Sequence, residues 1–341
     1  MNKKYRILSI DGGGIRGIIP ATIVVYIENR LQKITKNPDV RIGDYVDFIA
    51  GTSTGGILTS VYLSPADKDG SIKYRYTAED ALRFYLERGG FIFSSGVWDK
   101  LISLGGIIKE RYSAKPLEKF LTFSFRNSKI SELLKPCLLT SYEIEKKQPV
   151  FFQSHVAKNN KAFDFYIKDA CRATSSAPTF FEPARIQSLS GEMYTLIDGA
   201  VLANNPALCA LTEACVLFAE KGIPLTADRF ELISLGTGKN QKVYTYEHVK
   251  DLGGLGWLNP LLDVMMNGVS DTIGRELSVL FQSLGVADQY HRIQPELTRA
   301  NADMDDASPE NIKLLMDEAS SCIEKHKDYL EVIIRKLIEN T

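Results

Sequence analysis

The sequence predicts an α/β protein with a mostly parallel central sheet flanked by helices. Apolar runs of strand length alternate with segments whose apolar residues recur every three or four positions, as they do in amphipathic helices. The first two apolar runs also end in glycine-containing turns, DGGGIRG at 11–17 and GTSTG at 51–55, and each turn leads into a helical pattern. Since parallel strands need a crossover connection, this order is typical of a parallel sheet.

The N-terminal elements follow from these two patterns. The first unit is predicted to be a strand over 5–10, the glycine loop, and a helix over 18–35 with Pro20 near its start. The second unit is predicted to be a strand over 46–50, the turn, and a helix over 54–63. Each turn therefore joins the end of a strand to the start of a helix.

The later elements are assigned in the same way. They are surface loops at 64–77 and 157–162, a strand over 193–197, a helix opened by Asn205 and Pro206 and running to about 221, a strand over 230–235, and an amphipathic C-terminal helix starting at 308–310. The sequence has no internal repeat and no long flexible linker. We therefore expect one domain over 1–341, with a motif-bearing core at about 6–208 and a C-terminal helical part at about 300–341 packed on it.

Composition excludes several functional classes. The 341 residues include 41 basic and 42 acidic ones, so no basic excess points to a nucleic-acid polymer as partner. We find no apolar stretch of membrane-spanning length and no apolar core of a secretion signal before Asp11. The five cysteines are odd in number and form no CxxC pair, which favours a reduced, cytoplasmic setting.

The turn at 51–55 matches the motif G-x-S-x-G in the strand–turn–helix context that this motif requires. A serine on so sharp a turn presents its hydroxyl outward. The residues two before and two after it must be very small, and here they are Gly51 and Gly55. The helix that starts at Thr54 also directs its free amides and its positive dipole end toward the serine. Ser53 is therefore a candidate nucleophile.

The glycine loop has two interpretations. Gly12-x-Gly14-x-x-Gly17 could hold a dinucleotide pyrophosphate, but no acidic residue ends the next strand, and Asp11 would lie beside the phosphates. The alternative is an oxyanion hole, in which the N–H groups of Gly12, Gly13, Gly14 and Thr54 stabilise the negative charge that develops during acyl transfer. Arg16 could bind a substrate phosphate or support the loop, and the sequence does not separate these roles.

A nucleophilic serine needs a base. None of the four histidines lies in a recognisable motif, and only His291 could point inward from a strand. Asp198, followed by Gly199, ends a predicted strand as Ser53 follows one, so it could reach the same place on the sheet. A partly desolvated aspartate would be a stronger base than an exposed one. A Ser–His–Asp esterase that uses His291 remains the alternative.

Together, the DGGGIRG loop with Arg16 and Gly17, the GTSTG turn and Asp198-Gly199 resemble the motifs of the patatin-like phospholipases. The segments SSAPTFFEP (175–183), LISLGTG (232–238) and MDDASPENIKLL (304–315) are also similar to plant patatins. The resemblance implies a modified α/β-hydrolase-like three-layer sandwich and calcium-independent cleavage of phospholipid acyl esters. It also implies that Ser53 and Asp198 form a Ser–Asp dyad, with the 12–17 loop as oxyanion hole.

The resemblance also implies partners. The substrate would be a membrane phospholipid, reached by transient contact with the inner membrane surface. Some bacterial members are anti-phage effectors switched on by cyclic oligonucleotides, so this chain could bind a cyclic di- or trinucleotide, and it could also form a homo-oligomer. The apolar segments 89–108 and 252–266 are candidate lids over the site.

Asp303, Asp305 and Asp306 do not have the spacing of a calcium loop, so we expect no metal. The remaining alternative is a non-catalytic module that senses a phosphorylated ligand through its glycine loop.

Overall fold

The computed structural model describes residues 4–66, 73–92, 112–239, 243–254 and 256–339. In these ranges one eight-stranded sheet is formed by β1 (Tyr5–Ile10), β2 (Phe48–Gly51), β3 (Cys137–Glu143), β4 (Gln148–Gln153), β5 (Ala184–Gln187), β6 (Met193–Asp198), β7 (Phe230–Leu235) and β8 (Tyr290–Ile293). The helices are α1 (Ile18–Thr35), α2 (Ile42–Tyr45), α3 (Thr54–Leu63), α4 (Ala78–Ile92), α5 (Lys115–Phe125), α6 (Ser154–Ala157), α7 (Ile167–Thr174), α8 (Ala200–Ala203), α9 (Ala207–Glu220), α10 (Tyr246–Val249), α11 (Leu258–Ser283), α12 (Pro309–Lys325) and α13 (Lys327–Glu339).

The sheet is mostly parallel. Hydrogen-bonded neighbours follow the order β5-β6-β3-β2-β1-β7-β8; β4 pairs along one edge of β3, and β2 and β6 pair with different segments of its other edge. The strands β3, β2, β1, β7 and β8 run parallel to one another, whereas β4 and β6 are antiparallel to β3, and β5 is antiparallel to β6. The predicted fold class, a mostly parallel sheet flanked by helices, is therefore confirmed.

The sheet buries side chains on both faces, which produces three layers. In β1, Leu8 and Ile10 point into a large core shared with α1 and α3. Ile7, the residue before Leu8, points the other way, into a second core built with α9 and α11. Alternation along a strand sends neighbouring side chains to opposite faces, so an apolar run such as RILSI is explained by burial on both sides.

The C-terminal helices pack against α1. Glu331 of α13 accepts hydrogen bonds from Tyr26 at 2.9 Å and from Arg30 at 2.5 Å, both on α1. Ser308 caps α12 by accepting a hydrogen bond from the Asn311 N–H, and Pro309 occupies its first turn. The amphipathic C-terminal helix therefore starts where the sequence predicts, at 308–310.

Most of the predicted elements are confirmed to within two residues. The strands predicted over 5–10 and 230–235 and the helices over 18–35 and 54–63 have those bounds. The strand predicted over 46–50 is shifted to β2, and the one over 193–197 extends to Asp198. The segment 157–162 is only partly a loop, since α6 ends at Ala157 and a 3-10 turn covers Lys161–Phe163. Residues 67–72 of the loop predicted at 64–77 lie outside the described ranges.

Candidate active site

Ser53 sits on a strained turn between β2 and α3. Its backbone angles are φ 54° and ψ −122°, a region that residues with a Cβ rarely adopt. A Cβ built on Gly51 would collide with the Gly55 carbonyl, and one on Gly55 would collide with the Ile10 carbonyl. The two glycines of the motif are therefore required by the close approach of the backbone, as the sequence predicts.

The strands β2 and β6 bring Ser53 and Asp198 together at one edge of β3. Strand β4 pairs with residues 138–143 of β3, so β2 and β6 must share its other edge. There Gly51 lies opposite Leu139, and Asp198 lies opposite Ser141. Because β2 runs parallel and β6 antiparallel to β3, their C-terminal ends point at each other, about 7 Å apart along β3. Ser53 lies two residues after the end of β2, and Asp198 is the last residue of β6.

Asp198 is almost completely buried, with 2% of its surface exposed. Its Oδ1 accepts a hydrogen bond from the Ala200 N–H at 2.8 Å. Burial raises the pKa of its carboxyl to about 7, and the bonds from Ala200 and the Ser53 side chain partly oppose that rise. Gly199 must be a glycine because a Cβ there would collide with Thr140.

The glycine loop leaves some of its N–H groups free and uses others. The Gly12 N–H donates to the Asn204 carbonyl at 3.0 Å, so it is already satisfied. In the described part of the chain, no acceptor is found for the N–H groups of Gly13, Gly14 and Thr54. Gly14 has a φ of +58°, and a Cβ there would collide with the Met304 carbonyl. The structure therefore leaves three of the four predicted oxyanion donors available, and Gly12 instead anchors the loop.

Arg16 supports the loop. It is 4% exposed, and its guanidinium donates to the carbonyls of Gly13 and Gly238, each at 3.4 Å. Burial lowers the pKa of Arg16, and the acidic groups Asp263, Asp303 and Asp11 oppose this shift. Of the two roles that the sequence left open, these contacts favour the support of the loop.

Asp11 is fixed from the far end of the sheet. Its carboxylate, 1% exposed, accepts two hydrogen bonds from Arg292 of β8, at 2.8 and 2.6 Å. Burial raises the pKa of Asp11, and the guanidinium opposes that rise. The sequence did not predict the role of Arg292, because this residue is 281 positions from Asp11 and no local pattern connects the two.

Thr54 and Gly17 meet where the two turns touch. The Thr54 hydroxyl forms a short hydrogen bond with the Tyr85 hydroxyl of α4. A Cβ on Gly17 would collide with the Thr54 side chain. Gly17 therefore lets the glycine loop approach the first turn of α3, where the free Thr54 N–H lies.

An apolar cavity opens onto Ser53 and Asp198. Its walls come from the glycine loop, α3, α4, α5, the turn after α7, α11 and the loop before α12. From the predicted lid at 252–266, the cavity is lined by Leu262, Met265 and Met266. Of the other predicted lid, 89–108, Gly89 and Ile92 line the cavity, and residues 93–108 lie outside the described part.

None of the histidines lines this cavity. His291 is buried on β8, three strands from β2. Its Nε2 is bonded to Glu231 at 2.5 Å and its Nδ1 to Tyr329 at 2.6 Å. His155 is paired with Glu213 on α9. The histidine that the sequence singled out as an alternative base therefore has both ring nitrogens engaged away from Ser53.

The described residues form neither a metal site nor a membrane-spanning helix. No three His, Cys, Asp or Glu side chains there are grouped so that they could hold a metal ion. Asp305 accepts a hydrogen bond from Tyr112 at 2.7 Å, and Asp306 accepts one from Asn301 at 2.9 Å. No described helix has the length and apolar character needed to cross a membrane.

Known proteins are similar to this chain along most of its length. The model of the patatin-like phospholipase family matches residues 8–211. Patatin-like protein 3 of Arabidopsis thaliana is 33% identical over 94% of this chain and 80% of its own length. Patatin-2-Kuras 1 of Solanum tuberosum is 34% identical over 95% of this chain and 88% of its own length.

Among solved structures, VipD of Legionella pneumophila aligns with 96% of this chain and 67% of its own, at 13% identity and a TM-score of 0.36. The family match covers more than half of the chain, and the plant relatives align along nearly all of it. The chain therefore belongs to the patatin-like phospholipases, a family of lipid acyl hydrolases.

Proposed function

We propose that this protein hydrolyses the acyl esters of membrane phospholipids with a dyad of Ser53 and Asp198. The observation that carries the proposal is the meeting of β2 and β6 on one edge of β3, which places a strained serine beside a buried carboxylate. An aspartate with a pKa of about 7 is well matched to accept a proton at neutral pH. Exposed aspartates, with a pKa of about 3.9, are much weaker bases.

The reaction would proceed through an acyl-enzyme. Ser53 Oγ attacks the ester carbonyl carbon while Asp198 accepts its proton, and the N–H groups of Gly13, Gly14 and Thr54 stabilise the oxyanion. The bond to the alcohol oxygen then breaks, and that oxygen takes the proton from Asp198. Water then gives a proton to the same carboxylate and attacks the acyl carbon. The bond from that carbon to Ser53 Oγ breaks, Oγ takes the proton back from Asp198, and the fatty acid leaves. The dipole of α3 also favours negative charge at its N-terminus.

The cavity would hold the acyl chain. It follows α3 from Ser53 past Ile57 and Leu58 to Val61. Its lining also includes Phe84 and Phe120, whose rings meet edge to face with centroids 5.4 Å apart. A slot walled by aliphatic and aromatic side chains, with the reacting groups at one end, suits a fatty-acid ester better than a phosphorylated ligand. With Arg16 engaged below the loop, this favours hydrolysis over a phosphate-sensing role.

The N-terminal half of α11 would contact the bilayer. On its inner face Leu262, Met265 and Met266 line the cavity. On its outer face Trp257, Leu261 and Val264 are 41%, 50% and 54% exposed, at spacings of four and three residues. An apolar stripe in water is unfavourable unless it meets an apolar surface. Insertion of this stripe would place the slot beside the lipid acyl chains.

The direct test is hydrolysis of vesicles. Mixed phosphatidylcholine, phosphatidylethanolamine and phosphatidylglycerol vesicles are incubated with the protein and a metal chelator, and released fatty acids are identified by mass spectrometry. We expect release by the unaltered protein and none by Ser53→Ala or Asp198→Asn. If Ser53→Ala released fatty acid at the wild-type rate, the proposal would be wrong.

The same assay addresses regulation. The chain is expected to act at the cytoplasmic membrane surface, and an anti-phage effector role would require a cyclic di- or trinucleotide activator. Vesicle hydrolysis is therefore repeated with a panel of these nucleotides, and the molar mass is measured by light scattering with and without each one. An increase in rate with one nucleotide would support the effector role, and a change in mass would identify a homo-oligomer. A rate unchanged by all of them would contradict the effector role.

A further inference from the structure

Ser175 is one of four hydroxyl-bearing residues that line the cavity, with Ser53, Thr54 and Tyr85. It follows α7 directly and lines the same cavity as Ser53 and Asp198. Almost every other lining side chain along the slot is apolar. A polar group placed beside the reacting residues, in a slot otherwise suited to an acyl chain, calls for a chemical explanation.

The neighbours of Ser175 on both sides hold the two reacting residues. Thr174 Oγ1 accepts a hydrogen bond from the Ser53 N–H at 2.9 Å. The Ser176 carbonyl accepts one from the Asp198 N–H at 3.0 Å. Arg172 fixes this turn by donating to Ser176 Oγ at 2.6 Å and to the Glu182 carbonyl at 3.0 Å. The backbone of Ser175 is thus fixed between the nucleophile and the acid.

The Ser175 hydroxyl itself has no protein partner. The residue is 7% exposed, and no hydrogen-bond donor or acceptor among the described residues lies within reach of its Oγ. A buried hydroxyl without a partner destabilises a fold. Tyr62, Ser124 and Tyr290 also have such hydroxyls among the described residues, but of these four residues only Ser175 lines the cavity, where a ligand could satisfy its hydroxyl. The serines beside the same turn illustrate the contrast, since Ser176 Oγ is bonded to Arg172 on both its donor and acceptor sides.

We propose that Ser175 is a further catalytic residue, whose hydroxyl donates a hydrogen bond to the alcohol oxygen of the ester as it leaves. This assignment rests on the proposed hydrolysis. When the bond between the carbonyl carbon and the alcohol oxygen breaks, its electron pair goes to that oxygen, which then takes the proton that Asp198 received from Ser53. Ser175 keeps its own proton throughout, and its role is to stabilise the negative charge before the proton arrives.

The test compares two esters with the same acyl chain and different leaving groups. A nitrophenolate is a stable anion and needs little stabilisation, whereas an alkoxide needs much. For Ser175→Ala we expect kcat/KM to fall about tenfold to a hundredfold with an alkyl ester and less than about threefold with the nitrophenyl ester. Ser175→Thr, which keeps a hydroxyl, is expected to recover part of the alkyl-ester activity.

Stability separates this role from a structural one. Because the hydroxyl has no protein partner among the described residues, Ser175→Ala should keep or raise the melting temperature. Ser124→Ala is the matched control, since Ser124 Oγ is also buried without a partner but lies outside the cavity lining, and its activity should be unchanged.

Equal losses of activity on the two esters, or no loss on either, would overturn the assignment of Ser175. If the unaltered protein hydrolysed neither ester, the proposed function itself would fail, and this assignment with it.

Discussion

Asp198 combines burial with a charge that the proposed reaction requires. Burial raises the pKa of its carboxyl to about 7. The unfolded chain releases this proton near pH 4, whereas the folded chain keeps it up to about pH 7, so the folded state loses stability as pH rises between these values. The site is therefore kept at the expense of stability.

We predict that Asp198→Asn abolishes activity and increases the free energy of unfolding. Its amide can still accept the bond from Ala200, but it carries no charge to bury. The increase should reach about 4 kcal/mol at pH above 7 and shrink to about 1 to 2 kcal/mol near pH 5. Urea unfolding at the two pH values measures it. Asp251→Asn, at an exposed position, should change little at either pH. If Asp198→Asn increased the free energy of unfolding equally at both pH values, burial of the Asp198 charge would not be what destabilises the folded protein.

At the level of single residues, the strained turn around Ser53 can be predicted from its sequence. A glycine two residues on either side of a serine between a strand and a helix already specifies the strained turn, since no larger side chain fits there. The sequence could not predict which N–H groups of the glycine loop are free and which are hydrogen-bonded within the protein. Whether the Gly12 N–H is free depends on the Asn204 carbonyl, 192 positions away, and no local pattern reports that contact.

At the level of elements, the length of α3 along the cavity sets the length of acyl chain that the cavity would hold. Val61 lies eight residues after Ser53, roughly 12 Å along the helix axis, and both line the cavity. We predict that Val61→Phe shifts the released fatty acids toward shorter chains and that Val61→Ala shifts them toward longer ones. The shift is read from the fatty acids released from vesicles of mixed chain length, with Val332→Phe on the surface of α13 as control. Unchanged profiles in both variants would mean that the acyl chain does not follow α3.

The helix α11 gives the second prediction at this scale. Changing Trp257, Leu261 and Val264 to serine should weaken binding to vesicles at least about tenfold, because these side chains lose the apolar area that would be buried in the bilayer. Hydrolysis of a dissolved short-chain ester should be unaffected. The control is Val279→Ser with Leu280→Ser, exposed at the other end of the same helix. If the Val279 and Leu280 variant lost as much vesicle binding as the Trp257, Leu261 and Val264 variant, membrane contact would not be confined to the N-terminal half of α11.

Helix and strand patterns predicted the elements that bear the motifs better than the later ones. β1, α1 and α3 have their predicted bounds because each contains a clear apolar pattern and adjoins one of the two glycine-containing turns, 11–17 or 51–55. The antiparallel strands β4 and β5 and the full length of α11 were not predicted. α11 has exposed leucine and valine residues on its outer side, which obscures its period, and short antiparallel strands such as β5 offer only a few alternating residues.

At the level of the whole molecule, the C-terminal third completes the site. Arg292, Gly238 and Met304 lie beyond the stretch that the family model matches, yet each contacts the glycine loop or Asp11. The Met304 carbonyl accepts a hydrogen bond from the Ile15 N–H at 2.9 Å. The sequence predicted only that a C-terminal helical part packs on the core. Contacts between residues so distant in sequence have no local signature.

Variants of Asp11 and Arg292 test whether the C-terminal third of the chain stabilises the glycine loop. Arg292→Met leaves a buried carboxylate without its partner and should lower the free energy of unfolding by about 3 to 5 kcal/mol, with loss of activity. Adding Asp11→Asn removes the uncompensated charge and should restore most of the stability. Urea unfolding of both single variants and the double variant gives the coupling energy. If the losses of the two single variants simply added in the double variant, the pair would not hold the loop.

The central claim, that Asp198 is the base for Ser53, is tested most directly by covalent labelling with an alkyl fluorophosphonate. The rate of adduct formation is followed by intact mass between about pH 5 and 9, and the labelled residue is identified by peptide mass spectrometry. We predict a label on Ser53 at a rate that rises with pH and is half-maximal near pH 7, where the Asp198 carboxyl loses its proton, with almost no labelling in Asp198→Asn. A label on another residue, or an Asp198→Asn variant that reacts as fast as the unaltered protein, would contradict the account.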